Sequence, residues 1–453
     1  MMTKMQKMLT WCITVVMLAV SLCFPLQASA LTEGDWEFQL LDGEAMITGY
    51  NGPGGDVEIP EQLFGATVTE IEDVFSYNDS ITSLDIPGTI KKIPEFFCWD
   101  ASNLSSVTLH EGLEEIGASS FPCKDIEKIV LPSTLKVIGN NSFSGTSITS
   151  IDLHEGLISI GGEAFSKSAL VQIDLSVLSP MCQLGKGIFY ECTSLETVKW
   201  GSQAIIPEIM FSGCINLENI SLTSYVEKIE SRAFFGCLSM EKVILPISLR
   251  AIETDAFTGS GLRNVVIPYG VESISQSFRA CPNLKSVYIP DTVDWLDHRI
   301  IDESPNCIIY CSSDSHAAKV CKEHKISYIT DKSVNSLITV LYNDTRISFH
   351  TYDQNPELIN HRTLVPLRSI FEAMGATVTW DAENRTAIAT RKGITVKIQI
   401  GSDVMDKNGS SIPVDVPAQL INDRTMVPVR VIAEAFGADV EWNGNGRTVL
   451  INE

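Results

Sequence analysis

Positive charge is scarce in this sequence: 33 Lys and Arg stand against 56 Asp and Glu, a formal charge of −23. A surface this acidic repels phosphate backbones and anionic headgroups, which argues against nucleic acid and lipid surfaces as partners. After the N-terminal segment, no apolar run approaches the ~20 residues that a transmembrane helix needs. The usual constellations of catalysis are missing as well. No Gly-x-Ser-x-Gly, Walker loop or dinucleotide fingerprint sits in a strand-to-helix context. His110-Glu111 and His154-Glu155 begin like a zinc-protease motif, but Glu114 and Ile158 stand where its second His belongs. These absences point to a protein that is not an enzyme and holds no cofactor.

The N-terminus has the features of an export signal. Lys4 and Lys7 precede a mostly apolar run from Leu9 to Phe24, and Ala28-Ser29-Ala30 offers the small residues a signal peptidase accepts. A lipoprotein anchor at Cys23 is disfavoured by the bulky Leu22 before it. An uncleaved N-terminal anchor is the other alternative. The expectation is a signal peptide over 1–30, removal of which leaves a secreted or cell-surface chain with no membrane insertion.

Beyond the signal, the pattern repeats. Ile86, Leu109, Leu131, Leu153, Leu175, Trp200, Leu222, Leu245, Ile267 and Ile289 recur at intervals of 22 to 25 residues. Two residues earlier stand Leu84, Val107, Ile129, Ile151, Ile173, Val198, Ile220, Val243, Val265 and Val287. A second apolar position follows in each unit, and four or five residues later a Phe, as in Ile138/Phe143 and Ile252/Phe257. No single unit can bury its own apolar side, so stacked neighbours must supply the core. The sequence therefore predicts a parallel β repeat solenoid with a period of about 22–23 residues over 59–328. A hairpin turning at Asp42-Gly43 caps its N-terminal end over 31–58.

Segments such as Leu284-Lys-Ser-Val-Tyr-Ile-Pro290 and Val137-Ile-Gly-Asn-Asn-Ser-Phe143 resemble the BspA-type leucine-rich repeats of bacterial surface proteins. The resemblance implies a right-handed solenoid used for adhesion or recognition, with no particular ligand attached to it.

Cysteine usage follows the repeat. Cys192, Cys214, Cys237 and Cys281 each lie three residues after the repeat Phe, where other units carry Thr146, Ser168 or Ser260. Packed thiols in a small buried slot explain them, with disulfides between stacked units as the alternative. Cys307, Cys311, Cys321 and His324 form a separate group in the C-terminal cap, where a strand, a short helix from about Ser315 to Glu323, and Ile326 with Tyr328 are expected. Three readings stay open there: a disulfide, packed thiols, or a soft-ligand metal site that a metal-assisted hydrolase could use.

Residues 329–336 are polar and aperiodic, as a linker is. From 337 to 453 the pattern changes to a small duplicated α+β domain. His361-Arg-Thr-Leu-Val-Pro-Leu-Arg-Ser-Ile-Phe-Glu-Ala-Met-Gly-Ala-Thr-Val-Thr-Trp380 is echoed 62 residues later by Asp423 to Trp442. Each copy predicts a helix begun near Pro366 or Pro428 and closed by Gly375 or Gly437. Arg368 with Glu372, and Arg430 with Glu434, are spaced for helical ion pairs. The paired segments resemble the copper amine oxidase N-terminal-like domain of secreted proteins. That resemblance implies an accessory, stalk-like module and not the oxidase itself. The sequence has no His-x-His copper pair and no Asn-Tyr-Asp/Glu stretch for a quinone.

Candidate binding residues lie on the strand face. With the paired apolar positions turned inward, the residues between them turn outward. That outward column runs Asp85, Thr108, Val130, Asp152, Asp174, Lys199, Ser221, Ile244, Val266, Tyr288. Asp85, Asp152 and Asp174 mark a hydrophilic stretch; Ile244, Val266 and Tyr288 mark an apolar one. The apolar stretch is either a contact site or the seat of the linker or C-terminal domain. Together these readings predict an exported, non-catalytic surface protein that binds a protein or glycan on a cell surface or envelope, with an accessory C-terminal domain. A secreted scaffold for envelope assembly is the alternative. No Leu-Pro-x-Thr-Gly sorting motif occurs, so retention and release are both open.

Overall fold

A computed structural model describes residues 30–343, 345–347, 349 and 354–453. The expected signal peptide falls on residues outside this range, apart from Ala30. At the N-terminal end, Trp36–Leu41 pairs antiparallel with Glu44–Tyr50 around Asp42 and Gly43. Both turn residues have positive φ, 52° and 90°, the conformation a two-residue hairpin needs to match strand twist. Trp36 and Tyr50 lay their rings on Phe75 and so cover the first turn of the stack.

The repeat units coil into a parallel β-solenoid of about 12 turns. One side is a broken ladder in which Ile81–Ile86 pairs with Ser106–Leu109, Gln172–Asp174 with Thr197–Lys199, and Asn264–Val266 with Ser286–Tyr288. A second side is built from two-residue strands, among them Val137–Ile138 and Ile252's pair Ala251–Ile252. The third side is held by single bonds between turns, such as Phe143 N–H to the Ala164 carbonyl and Phe234 N–H to that of Ala256, both 2.8 Å. Each backbone side finds its partner one turn away, which is why a unit cannot stand alone.

Apolar columns fill the interior in the predicted register. Leu84, Val107, Ile129, Ile151, Ile173 and Val198 are buried, as are Leu175, Trp200, Leu222 and Leu245; Ile220 and Val243 are half-buried. From Phe121 to Phe278 successive rings stack with centroids 5.1 to 6.1 Å apart and planes within 16°. Offset stacking at this distance suits the ring quadrupoles. Around Ile129, Ile151 and Val243 the strand ladder lapses, yet the side chains keep their places. Packing carries the period there.

The cysteines have one explanation. All ten in the described residues are free and buried. Each repeat thiol points at the carbonyl of the preceding turn's Phe: Cys192 at Phe165 and Cys214 at Phe189, both 3.1 Å, Cys237 at Phe211 and Cys281 at Phe257, both 3.3 Å. Ser304 fills the same slot at the last turn, its hydroxyl 2.9 Å from the Phe278 carbonyl. The slot thus wants a small donor, and Cys, Ser or Thr each supply one.

At the C-terminal cap, Ile308–Cys311 leads into the helix His316–His324, capped by Ser315, whose hydroxyl accepts from Ala318 N–H. Tyr328–Thr330 then returns to the sheet beside Ile309–Cys311. Part of the expected linker is therefore solenoid. Lys332–Asn335 forms a 3-10 turn, and the Asn335 side chain both accepts from Asp291 N–H and donates to its carboxylate. Polarity that marks a tether in sequence here marks attachment.

The C-terminal domain has its own core around Ile370, Phe371 and Ile432. Its helices, Leu367–Ala373 and Val429–Ala435, start directly after Pro366 and Pro428, and Gly375 and Gly437 end them at φ 76° and 91°. The strands Arg362–Pro366 and Arg424–Pro428 pair antiparallel, Leu364 with Pro428 and Pro366 with Met426. Exchanging the two copies maps this pairing onto itself, so the duplication is a local two-fold. A five-stranded meander spans Thr377–Pro413, and Thr339–Tyr342 pairs with the final strand Thr448–Asn452.

Candidate recognition surface

The outward column of the first ladder is assembled as its register requires: Glu58 beside Asp85 beside Thr108, Asp174 beside Lys199 beside Ser221, Val266 beside Tyr288 beside Tyr310. Its two halves meet different fates. In the hydrophilic half, the Asp85 carboxylate meets His110 Nε2 at 2.7 Å. Asp152 is exposed, next to Val130, which is 66% exposed. Asp174 accepts from the Ser176 hydroxyl and from Lys199 Nζ at 3.1 Å. The Ser176 bond, opposed by slight burial and joined by Lys199, holds the Asp174 carboxyl below the usual carboxylate range. The three acids lie along one side of the solenoid, with His110 beside Asp85 and Lys199 beside Asp174.

The apolar half is covered. Tyr288 is 6% exposed, stacked on Tyr310 at 4.6 Å, with the Arg346 guanidinium 5.2 Å above its ring. Burial, slightly offset by its hydrogen bond to Ser286, raises the Tyr288 hydroxyl, and burial pulls Arg346 down to about 10. Ile244 and Val266 are half-buried. They line a narrow gap closed by Thr339, Leu341, Gly446 and Thr448 of the C-terminal domain. The hairpin tip around Asn445 reaches in: Ile247 N–H donates to its carbonyl at 3.0 Å, and its side-chain amide donates to the Leu222 carbonyl at 3.2 Å. Of the two openings for this stretch, the C-terminal domain occupies it. An outside ligand would find Ile244, Val266 and Tyr288 behind that domain.

An aromatic ledge at the N-terminal turns escaped the sequence reading. Tyr77 is 71% exposed, and Phe96 and Trp99 beside it meet edge to face at 5.6 Å. Tyr77 N–H donates to the Trp99 carbonyl and the Ser76 hydroxyl to that of Phe96. Tyr77 stands two residues after its Phe, at φ 58°, where other turns have Gly145, Gly213, Gly236 or Gly259. A bulky residue in a left-handed position is costly, and an aromatic where the other left-handed turns carry Gly, Lys167, Glu191 or Ala280 was the available signal.

Cys307, Cys311 and Cys321 are unpaired and buried, and the His324 ring lies on that of His298 at 4.3 Å. The disulfide reading of the cap is not realised, because Cys311 and Cys321 pack as thiols between strand and helix. Burial pushes the Cys307 and Cys321 thiols up to about 12. Among the described residues no group of three or more His, Cys, Asp or Glu is arranged to hold a metal ion, and no helix is long and apolar enough to cross a membrane.

Comparison with known proteins places this architecture. The BspA type leucine rich repeat region matches in six copies over residues 69–196 and 182–307, and the copper amine oxidase N-terminal domain matches residues 342–451. Among solved structures, a leucine-rich repeat protein from Bacteroides ovatus aligns with 69% of this chain and 82% of its own at 19% identity and a TM-score of 0.50. A leucine rich cell surface protein from Faecalibacterium prausnitzii covers 67% of this chain and 98% of its own at 20% identity, TM-score 0.41. The pneumococcal vaccine antigen PcpA covers 67% and 99% at 18% identity, TM-score 0.38. No curated protein matches the chain significantly. Leucine-rich repeat proteins are typically non-enzymatic, and the copper amine oxidase N-terminal domain is not the catalytic part of that enzyme. With its repeats matched across more than half its length, the chain belongs to the BspA-type leucine-rich repeat family and ends in a copper amine oxidase N-terminal domain.

Proposed function

We propose that this is an exported, non-catalytic recognition protein that holds a protein or glycan of a cell surface or envelope on the open part of its first sheet. The observation carrying this reading is the asymmetric cover. The C-terminal domain closes the apolar end of the outward column and leaves the stretch holding Asp85, Val130, Asp152 and Asp174 to solvent. A polar face with one exposed apolar side chain suits a rim-and-anchor contact more than a catalytic pocket. Export is supported by the basic and apolar N-terminus with its Ala-Ser-Ala exit, and the C-terminal domain serves as the envelope-associated accessory.

Two measurements test this. Mass analysis of protein recovered from the culture medium or cell surface should find an N-terminus at Leu31; a chain retained inside the cell with Met1 in place removes the export part. Purified protein should adhere to whole cells or envelope fractions. The combined Asp85→Asn, Asp152→Asn, Asp174→Asn variant, folded by circular dichroism, should lose that adhesion at least tenfold. Undiminished adhesion by the triple variant would refute the assignment of this face.

A further inference from the structure

The aromatic ledge stands at a strongly acidic end of the protein. From Leu31 to Ile90 the chain carries thirteen Asp and Glu and no Lys, Arg or His. The cations of the next turns are mostly engaged. Lys92 pairs with Glu115 at 2.8 Å, His110 with Asp85 at 2.7 Å, and Lys91 donates to the Gly112 carbonyl at 3.1 Å. Lys124 remains, exposed as Asp100 and Asp125 are. Among the described residues none of Asp73, Asp79 and Asp100 is held in an ion pair. Burial, joined by the charges of Asp100 and Asp125, pushes the nearby Cys123 thiol up to about 12. Three exposed rings, Tyr77, Phe96 and Trp99, thus sit among carboxylates.

We infer that the ledge docks a basic polypeptide segment, whose arginine side chains lie on Tyr77 and Trp99. A guanidinium group stacks on an aromatic face and keeps its N–H fork for a carboxylate beside it. Tyr77 N–H donates to the Trp99 carbonyl at 2.7 Å, which makes Asp100 the neighbour of Tyr77 in the next turn, ~4.8 Å along the stack. An open ring and a carboxylate without an ion pair are thereby placed side by side. Phe96 meets Trp99 edge to face and leaves the stack to support it from one side. A sugar would need hydrogen-bonding side chains around the rings, and those present are committed to one another. The Ser76 hydroxyl donates to the Phe96 carbonyl at 2.8 Å, the Ser102 hydroxyl to the Asp79 carboxylate at 2.6 Å, and the Asn103 amide to the Asp79 carbonyl at 2.8 Å. The excess of carboxylates over the whole N-terminal end steers a cationic partner toward the ledge. This surface lies on the third side of the coil, apart from the first sheet with Asp152 and Asp174.

The test titrates three probes into the full secreted chain: the end-blocked pentapeptide Gly-Arg-Gly-Arg-Gly, its citrulline counterpart, and cellotriose. Tryptophan fluorescence and calorimetry are the readouts. The expected result is one saturable site for the arginine peptide, with the uncharged citrulline peptide about tenfold weaker and cellotriose weaker than either. Tyr77→Gly puts into the left-handed position the residue that Gly145 and Gly213 supply in other turns, so the melting temperature should not fall. That variant and Trp99→Ala should each weaken the arginine peptide about threefold, the size of one exposed cation–π contact. Asp100→Asn, an exposed substitution, should cost about the same and keeps the test valid if a ring variant misfolds. The double variant Asp152→Asn, Asp174→Asn should bind the peptide as the wild type does, which separates the ledge from the first sheet. No saturable binding, equal affinity for the citrulline peptide, tighter binding of cellotriose, or a loss in the double variant equal to that in Tyr77→Gly would overturn the inference.

Discussion

The buried thiols show how one side chain reports on the whole stack. Each repeat Cys sits beside a Phe carbonyl of the turn before it, and burial dominates its ionisation: Cys192 is pushed up to about 11, and Cys214 and Cys237 are pushed well above the ordinary value. Such thiols are poor nucleophiles at neutral pH. Ellman's reagent at pH 8 should therefore find almost none of the ten in the native protein and all ten in guanidinium. Rapid reaction of native repeat thiols would contradict the packing. The pH dependence follows from the direction of the shifts. Unfolded thiols ionise from their ordinary value of 9.0 upward, while the folded ones stay protonated. Their contribution to stability is complete below pH 9 and is lost as pH rises from there toward 11 and beyond. The urea midpoint should fall over that range, and less steeply in Cys192→Ser, which keeps the donor and removes one titrating group.

The element that organises the solenoid is the turn after each short second-ladder strand. Gly117, Gly139, Gly161 and Gly185 stack there in the first half of the molecule, and a Cβ built on Gly139 would lie 2.5 Å from the Gly117 backbone. Contact with fixed backbone leaves nothing to give way cheaply. Gly139→Ala should destabilise by roughly 1–3 kcal/mol, the usual cost of overpacking, read as a lowered urea midpoint with an unchanged slope. Full stability in that variant would mean that neighbouring turns slide apart freely. In the second half Pro207, Glu230 and Glu253 occupy the equivalent position, so the close backbone contact is a feature of the first half. The register of the columns and the Phe plug were legible in the sequence, because a period repeated over many units leaves little freedom in alignment. The glycine contact was less so. A column of Gly tells of an approach, but which atoms approach depends on how one turn sits on the next. The Tyr77 ledge was missed for a related reason: an aromatic residue in a repeat reads as core unless its offset from the Phe is counted.

At the scale of the molecule, the sequence defined two domains and left their relation unspecified. Ile244 and Tyr288 could be placed on the outside of the sheet from alternation alone, but alternation is silent about what covers an outward face. Over Ile244 the cover is the hairpin tip at Asn445 and Gly446, far downstream in the chain, and over Tyr288 it is Arg346. Here Gly446 is the telling position. A Cβ on it would lie 2.5 Å from the Ile244 side chain and 3.1 Å from the Leu245 carbonyl, so the glycine is what lets the tip close on the sheet. The branched side chain of Gly446→Val would wedge the two apart while leaving both cores intact. Calorimetry of the wild-type chain should show the solenoid and C-terminal domain unfolding as a coupled unit; in Gly446→Val the endotherm should split, with the C-terminal domain melting first. Proteases should then cut between 331 and 337, where Asn335 holds the chain to Asp291 in the native state. The variant also uncovers the apolar column, so Ile244 and Tyr288 should lead to self-association at high concentration, measurable by light scattering. A single unsplit transition with no new cleavage would mean that the seam contributes little and the domains unfold together for another reason. The open end of the sheet should be indifferent to the wedge: adhesion through Asp85, Asp152 and Asp174 is expected to survive in Gly446→Val, because that surface lies turns away from the seam.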